Sequence, residues 1–429
     1  MTKKLDILNI KLFIATDYLV VLNKRNQLLI DTNKNVYRTI NKDLGKLLEW
    51  IADGKTIIEF IKKEKILNTD SVVRVIDRMI EIGIVQTNSV DYGIGNPIRK
   101  TDDTYPLERL FISLTENCNL RCKYCYVYIN DQINNQLDFL QLKKVFDSAI
   151  AQGVWKVDLI GGEIFCRNDV YQILQYLTDK KVVINIFTNA TLINKSNIDK
   201  LSTFSIEKYN ISFDNIDREL FEKNRGVSGI YSKLMGALSL LKSRNKQMSF
   251  NVPYIQNEKE SIIETINFLN KNYSNDIVIY PICPMGRSKN KQFVLDSDYY
   301  YVKKYALKKC NFNKEYNTAN SDLVTSCGIA EQFLFIESDG NICLCPTLSS
   351  KYDKDLYIGN ILEENIEDIW HNNSVINSFR SVTCKKSSIC ENYSKCKGGC
   401  RSNAYYQNKE IEDIDRKVCY LFEERIFNL

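Results

Sequence analysis

The spacing of apolar positions changes three times along the chain. Phe13–Leu22 and Gln27–Ile30 read as short strands with turns between them. Leu44, Leu47, Leu48 and Ile51 then recur at helical spacing and stop at Asp53-Gly54. Thr56 can cap a second helix carrying Ile57, Ile58, Phe60 and Ile61. Asp70 or Ser71 opens a third, with Val72, Val73, Ile76, Met79 and Ile80 on one face and a stop near Gly83. Ile84–Thr87 returns as a strand. Strands, three short helices and a closing strand predict a winged helix over residues 1–95. The polar stretch Ser89–Thr104, with Gly93, Gly95 and Pro97, reads as a linker.

Over residues 105–305 the rhythm alternates. Apolar runs at 110–114, 157–160, 182–187, 209–213, 249–252 and 277–280 are separated by longer stretches. The first of these carries Phe139, Leu142, Val145, Phe146 and Ala149 at helical spacing. Six βα units in series predict an α/β fold, a parallel sheet curled into a partial (β/α)6 barrel like a TIM barrel. In such barrels the chemistry sits at the C-terminal ends of the strands. Residues 306–429 show weak periodicity and hold nine of the fourteen Cys. There metal or cluster ligands can organise the fold in place of an apolar core.

Composition narrows the function classes. The chain has 429 residues, 44% of them hydrophobic, enough for several cores. Its net charge of +5 is spread over 58 basic and 53 acidic side chains, which argues for neither nucleic acid nor an anionic membrane. The third predicted helix sets Arg74 and Arg78 against Asp77 and Glu81, unlike a DNA-reading helix. No apolar run reaches membrane-spanning length. Asp6 and Lys11 interrupt the N-terminal apolar stretch, so no signal peptide is read and a cytoplasmic location is expected. Fourteen Cys in a reducing compartment point to metal or cluster ligation before disulfides. The single His, His371, excludes His-rich metal sites.

The densest chemistry is Cys118-Asn-Leu-Arg-Cys122-Lys-Tyr-Cys125, directly after the first barrel strand. Three thiolates on one loop can close on three irons of a four-iron cluster and leave the fourth iron open to a ligand. Half a zinc site or three incidental thiols are the alternatives. Later strand ends carry further candidates: Gly161-Gly162-Glu163, Thr188-Asn189-Ala190, Ser212-Phe213-Asp214 with Arg225-Gly226, and Pro284-Met285-Gly286-Arg287. Glycines admit close backbone approach, a carboxylate can meet an ammonium, and a hydroxyl with a guanidinium suits a carboxylate.

Taken jointly, these segments resemble the radical S-adenosylmethionine (radical SAM) enzymes. The resemblance makes Cys118, Cys122 and Cys125 the catalytic, cluster-binding residues. It places Tyr124, Gly161, Gly162, Glu163, Thr188, Asn189, Ser212, Asp214 and Arg225 around the cofactor, with Glu163 on the SAM amino group and Ser212 and Arg225 on its carboxylate. Ile164 stands where the family usually has Pro. The implied cofactors are SAM and a SAM-binding [4Fe-4S] cluster, and the implied reagent is a 5′-deoxyadenosyl radical that abstracts a substrate hydrogen. The C-terminal cysteines, with Gly340, Tyr357–Ile361 and Trp370, resemble the SPASM extension, which implies two auxiliary iron-sulfur clusters. By that resemblance Cys384, Cys390, Cys396 and Cys419 hold one, and Cys327, Cys345 and Cys400 the other. Ser387 stands where the family pattern has a Cys ahead of Cys390. The fourth ligand of the second set is left to Cys310, to Cys343 or to an open iron. A zinc ribbon is the alternative for the Cys396–Cys400 spacing alone. Cys166 and Cys283 read as packed thiols, with Cys283 also a candidate proton or hydrogen-atom donor.

Residues 1–95 resemble the PqqD-like precursor-peptide recognition element of ribosomal-peptide modification enzymes. The resemblances together imply a peptide maturase acting on a ribosomally made precursor whose leader docks on residues 1–95, with an electron donor such as flavodoxin or ferredoxin. The product is expected to be a Cys thioether cross-link of the sactipeptide or ranthipeptide type. C–C or C–O cross-linking, decarboxylation and sulfatase-maturase-like oxidation are the alternatives within the same chemistry, and an electron carrier or redox sensor the alternative outside it.

Overall fold

The computed structural model describes residues 7–88, 97–127, 136–290, 295–310, 328–351 and 353–423. Among its described residues the N-terminal region contains two small sheets and, after a helical turn at 7–9, three longer helices. β1 (Phe13–Ile14) pairs antiparallel with β5 (Val85–Gln86). β2 (Tyr18–Leu22), β3 (Gln27–Asp31) and β4 (Val36–Thr39) form an antiparallel meander. The apolar run Phe13–Leu22 is therefore two strands in two sheets, split by a turn in which Tyr18 N donates to Ala15 O (3.0 Å). The helices span Lys42–Ala52, Ile57–Lys63 and Thr69–Glu81. Asn41 caps the first, and Thr56 and Glu59 form a capping box on the second. The third starts earlier than expected because Asn68, ahead of Asp70 and Ser71, accepts from Ser71 N (3.2 Å). Their apolar faces share one core around Leu48, Ile51, Ile57 and Ile76.

The stretch read as a linker contains β6 (Ile98–Lys100), which adds parallel to β2 and completes a four-stranded sheet. Arg99 on this strand is half-buried and donates to Val154 O (2.6 Å) and Lys180 O (2.7 Å). It fastens the N-terminal region to the barrel. Trp155 and Val183 pack into the sheet against Leu19, Val21, Leu28 and Ile30, and Asn23 and Asn26 both donate to Glu108 (2.7 Å). Each of these barrel residues precedes or opens a strand, so the N-terminal region caps the lower pole of the barrel, opposite the pole where the strands end.

The barrel strands are β7 (Arg109–Ser113), β8 (Lys156–Ile160), β9 (Val183–Thr188), β10 (Ile206–Ser212), β11 (Met248–Tyr254) and β12 (Ile277–Pro281). They lie side by side in chain order, all parallel. This is the partial (β/α)6 barrel that the alternating pattern predicts. Asp158 inside it is fully buried, is neutralised by Arg109 and accepts from Asn185 Nδ2 (2.9 Å). The sheet does not end near residue 305. β13 (Phe333–Ile336), apolar and wholly buried, adds parallel to the free edge of β7, and β14 (Asn341–Cys343) and β15 (Gly359–Asn360) follow antiparallel. The Cys-rich region thus extends the barrel sheet and covers an edge that would otherwise expose unpaired backbone. Trp370, fully buried, donates to Tyr105 O (2.7 Å). Tyr420 stacks on Tyr300 with ring centroids 3.8 Å apart. Among the described residues no helix is long and apolar enough to cross a membrane.

Candidate active site at the upper pole of the barrel

The Cys loop leaves β7 at the upper pole and is gripped by three other loops. Gly162 N donates to Thr115 O (2.7 Å) and Glu163 N to Asn117 O (2.8 Å). A Cβ on Gly162 would fall 2.3 Å from Asn117 O, so only Gly permits this approach. The glycine pair therefore serves contact with the Cys loop. Arg121 N and Lys123 N donate to Arg225 O (2.9 Å) and Asn224 O (3.0 Å) at the end of the helix Arg218–Arg225. Arg287 N donates to Cys125 O (2.9 Å), where a Cβ on Gly286 would clash at 2.3 Å.

Cys118 and Cys125 are pushed up to about 12 and about 11, by burial first and then by neighbouring anionic groups, Cys122 among them. Leu120 N (3.4 Å) and Asn189 Nδ2 (3.9 Å) point at the Cys118 sulfur, and Arg225 Nη1 (3.5 Å) at that of Cys122. Three buried or half-buried sulfurs in one loop, two of them facing N–H donors, suit thiolates offset by cationic iron. Among the described residues no three His, Cys, Asp or Glu side chains converge as a single-ion site. A cluster does not demand that geometry, because each thiolate takes a different iron.

Glu163 is fully buried. It accepts from Thr188 Oγ1 (2.8 Å), Asn189 N (2.8 Å) and Phe165 N (3.2 Å), and forms no ion pair among the described residues. Burial pushes it up to about 7 despite these donors. A buried carboxylate without a cation is what an incoming ammonium would satisfy. Thr188 is committed to Glu163, and Asn189 Nδ2 donates to Asn119 Oδ1 (2.9 Å) on the Cys loop, so both brace the site. Arg225, Asp214 and Tyr124 form a closed buried network: Asp214 takes Arg225 Nη2 on one oxygen and Tyr124 Oη on the other. The sequence reading set Arg225 toward a cofactor carboxylate. The fold pairs its Nη2 with Asp214 and leaves its Nε buried without a partner. Ser212 is half-buried at the end of β10, opposite Asn251. Burial alone would lower Arg225, but the Asp214 carboxylate holds it well above its usual value.

Beside this set lies a cavity lined by Ser113, Glu116, Tyr126, Gly161, Glu337 and Lys351. Lys351 Nζ pairs with Glu116 and lies 3.4 Å from Asp339. Glu337 accepts from Ser349 and from Ser350 (3.2 Å). These charges escaped the sequence reading, because Glu116 and Lys351 are 235 positions apart and carry no local signal.

The C-terminal cysteines divide into groups. Cys396 lies within electrostatic reach of Cys390 and Cys384, and Cys419 within reach of Cys396 and Cys384. Cys345 packs in the main core cluster, Cys400 heads the helix Arg401–Asn408, and Cys327 lies outside the described residues. Cys343 is buried under Phe335 and Ile160, takes Ser350 N on its sulfur (3.3 Å) and faces Glu337. Cys310 stands apart. The helix Ser297–Lys309 starts at the upper pole, where Tyr254 Oη donates to Asp296 (2.6 Å), and descends, so that Cys310 is buried beside Asp276 below β12.

Residues 112–269 match the radical SAM superfamily, and residues 327–401 match the SPASM iron-sulfur cluster-binding domain. The AdoMet-dependent heme synthase of Methanosarcina barkeri is 24% identical over 322 residues, 68% of this chain and 90% of that protein. The subtilosin biosynthesis protein AlbA of Bacillus subtilis is 31% identical over 137 residues; that span is 32% of this chain and 30% of AlbA, under a third of its length. Among solved structures, Streptococcus suis SuiB bound to its precursor peptide SuiA superposes with a TM-score of 0.68 at 20% identity, covering 95% of this chain and 99% of that one. The enzyme anSMEcpe with bound AdoMet and a peptide gives 0.59 at 18% identity, covering 75% and 98%. The chain therefore carries a radical SAM domain and a SPASM domain on one α/β frame, and is an enzyme whose cofactors are SAM, a SAM-binding [4Fe-4S] cluster and auxiliary iron-sulfur clusters.

Proposed function

We propose that this enzyme is a peptide maturase that docks the leader of a ribosomal precursor on residues 1–95 and cross-links the core peptide at the upper pole, forming Cys thioethers. The observation that carries this reading is the whole-chain likeness to a neighbour solved with its precursor peptide. That likeness spans the N-terminal region as well as the barrel and the Cys-rich region. When bound, the SAM-binding cluster supplies the hydrogen-abstracting radical, and the auxiliary clusters offer an outlet for the electron that thioether formation leaves behind. An electron donor such as flavodoxin or ferredoxin would reduce the first of these.

The chain's own residues bind and orient. Glu163 would bind the SAM ammonium, with Thr188 and Asn189 fixing its carboxylate. Asp214 and Tyr124 hold Arg225 beside Cys122, where Arg225 and Ser212 would bind the cofactor carboxylate. Glu116, Lys351 and Glu337 line the cavity next to Gly161, where a substrate side chain would sit and water would be excluded.

Co-expression with a small Cys-containing peptide encoded beside the gene tests the reading. The peptide is expected to lose hydrogen pairs in step with alkylatable thiols. A peptide that is modified with every thiol still alkylatable would move the assignment to C–C or C–O cross-linking, and an unmodified peptide would remove it. Deleting residues 1–95 should abolish processing of the full precursor; unchanged turnover would favour a sulfatase-maturase-like oxidation instead.

A further inference from the structure

A groove runs up the outside of the barrel, along the seam between its first helix and the Cys-rich region. That helix, Phe139–Ala151, starts beyond the Cys loop at the upper pole and descends toward the start of β8 at the lower one. Gln141, Lys144 and Ser148 recur every three or four residues on one stripe of it. The stretch past β15, from Ile361 to Ile366, forms the opposite wall of a lower half of about 370 Å³. An upper half of about 480 Å³ continues it, with Gln141 and Leu362 lining both. Each half has the size of a ligand cleft. From Leu137 to Ser148 the stripe climbs about 16 Å at the helical rise, the depth of a five-residue barrel strand. At the upper end Asp339 lines the groove, and its neighbour Ser338 lines the cavity beside Gly161. Lys351 in that cavity lies 3.4 Å from Asp339. At the lower end Ser148 stands shortly before Val154, whose carbonyl accepts from Arg99 of the N-terminal region (2.6 Å). The lining suits an extended main chain. Gln141 Oε1 accepts from Asp138 N and Asn365 Oδ1 from Glu367 N (2.9 Å each), which leaves the two amide nitrogens to donate to peptide carbonyls. Gln136 Oε1 at the upper half is a buried acceptor with no hydrogen-bond partner among the described residues. Leu362, where the halves meet, is 52% exposed and offers an apolar contact. Lys144 and Glu364 balance each other below, and Asp339 adds a negative charge above, which disfavours a nucleic acid.

We propose that this groove carries an extended segment of the precursor peptide from the N-terminal region to the upper-pole cavity, with Leu362 against one of its apolar side chains. The proposal rests on the maturase reading above and gives the precursor a defined track. The part of the peptide nearer the leader lies by Ser148, and the part nearer the modified residue lies by Leu362 and Asp339.

The test uses full-length reconstituted enzyme and the Cys-containing peptide encoded beside the gene. Leu362→Glu should raise KM for that peptide about tenfold, the worth of one buried leucine contact, with kcat retained. Leu140→Glu alters a leucine that is 67% exposed on the same helix but outside the groove, and should leave KM unchanged. Photoreactive benzoylphenylalanine in place of Ser148 or of Leu362 should cross-link to the peptide, from Ser148 at positions nearer the leader than from Leu362. This second measurement decides the matter if Leu362→Glu fails to fold. A peptide that is modified with an unchanged KM in Leu362→Glu and is cross-linked from neither position would overturn the groove and leave the maturase reading standing. Cross-links that fall only within the enzyme, or to a second copy of it, would overturn the proposal in the same way. A peptide that the unmutated enzyme neither binds nor modifies would overturn it together with the maturase reading.

Discussion

Glu163 is expected to make SAM binding dependent on pH, and Glu163→Gln is expected to abolish that dependence. The carboxyl titrates at about 7 in the folded protein, against an ordinary value of 4.5, because it is fully buried. Between those values the folded state keeps a proton that the unfolded chain has released. Stability therefore falls as pH rises through this window, and the loss is complete above about 7. One pH unit of displacement corresponds to 1.36 kcal/mol, so holding Glu163 ionised without a cation costs on the order of 3 kcal/mol. An ammonium placed against the carboxylate offsets this cost. SAM affinity of the reconstituted protein should then rise up to about tenfold per pH unit between about pH 5.5 and 7, and level off. Anaerobic calorimetric titration of wild type and Glu163→Gln across that range checks both points. The variant should bind SAM more weakly at pH 7 with a flat profile, and its melting temperature without SAM should lose the acid-side rise. Equal pH slopes in the two proteins would refute the argument, since the buried carboxyl would then not be the partner of the cation.

Gly162→Ala puts a methyl 2.3 Å from Asn117 O and should displace the Cys loop, with loss of iron from the SAM-binding site measurable by EPR while the auxiliary signals persist. Arg99→Met removes two charge-assisted bonds to Val154 O and Lys180 O, a loss of about 3 kcal/mol in docking. Limited proteolysis should then cleave between the N-terminal region and the barrel, and unchanged protection would count against the latch. If the leader docks on residues 1–95 as proposed, the precursor must reach from the lower pole to the upper one. A five-residue strand is about 16 Å deep, and passing outside a helix layer adds about 20 Å. Recognition segment and modified residue should thus be separated by at least about ten residues, and precursors shortened below that should bind normally yet stay unmodified.

The features legible in the sequence were those whose signal is local. Alternating apolar runs specified six parallel strands, because each βα unit buries its own faces. The Cys118–Cys125 spacing specified the cluster loop, because all three thiols lie within a stretch of eight residues. Glu163, Thr188 and Asn189 were assigned by resemblance, and the fold gathers them because strand ends in a barrel converge on one pole. Where the reading departed from the fold, the deciding partner was remote. The stretch taken for a linker supplies β6, since Arg99 finds carbonyls 55 and 81 positions away. β13 joins β7 across more than 200 residues, and no periodicity announces which free edge an apolar strand will cover.

The sequence by itself determined the inventory: three thiolates in one loop, a carboxylate and a guanidinium at strand ends, and a reserve of cysteines downstream. Only the tertiary structure decided which of these face each other. It paired Arg225 with Asp214, set Cys310 beside Asp276 at the lower pole, and brought Lys351 to Glu116. Burial explains the difference. Side chains become each other's environment only when the chain folds them out of water, and at that point the partner in space governs charge and ligation more than the neighbour in sequence.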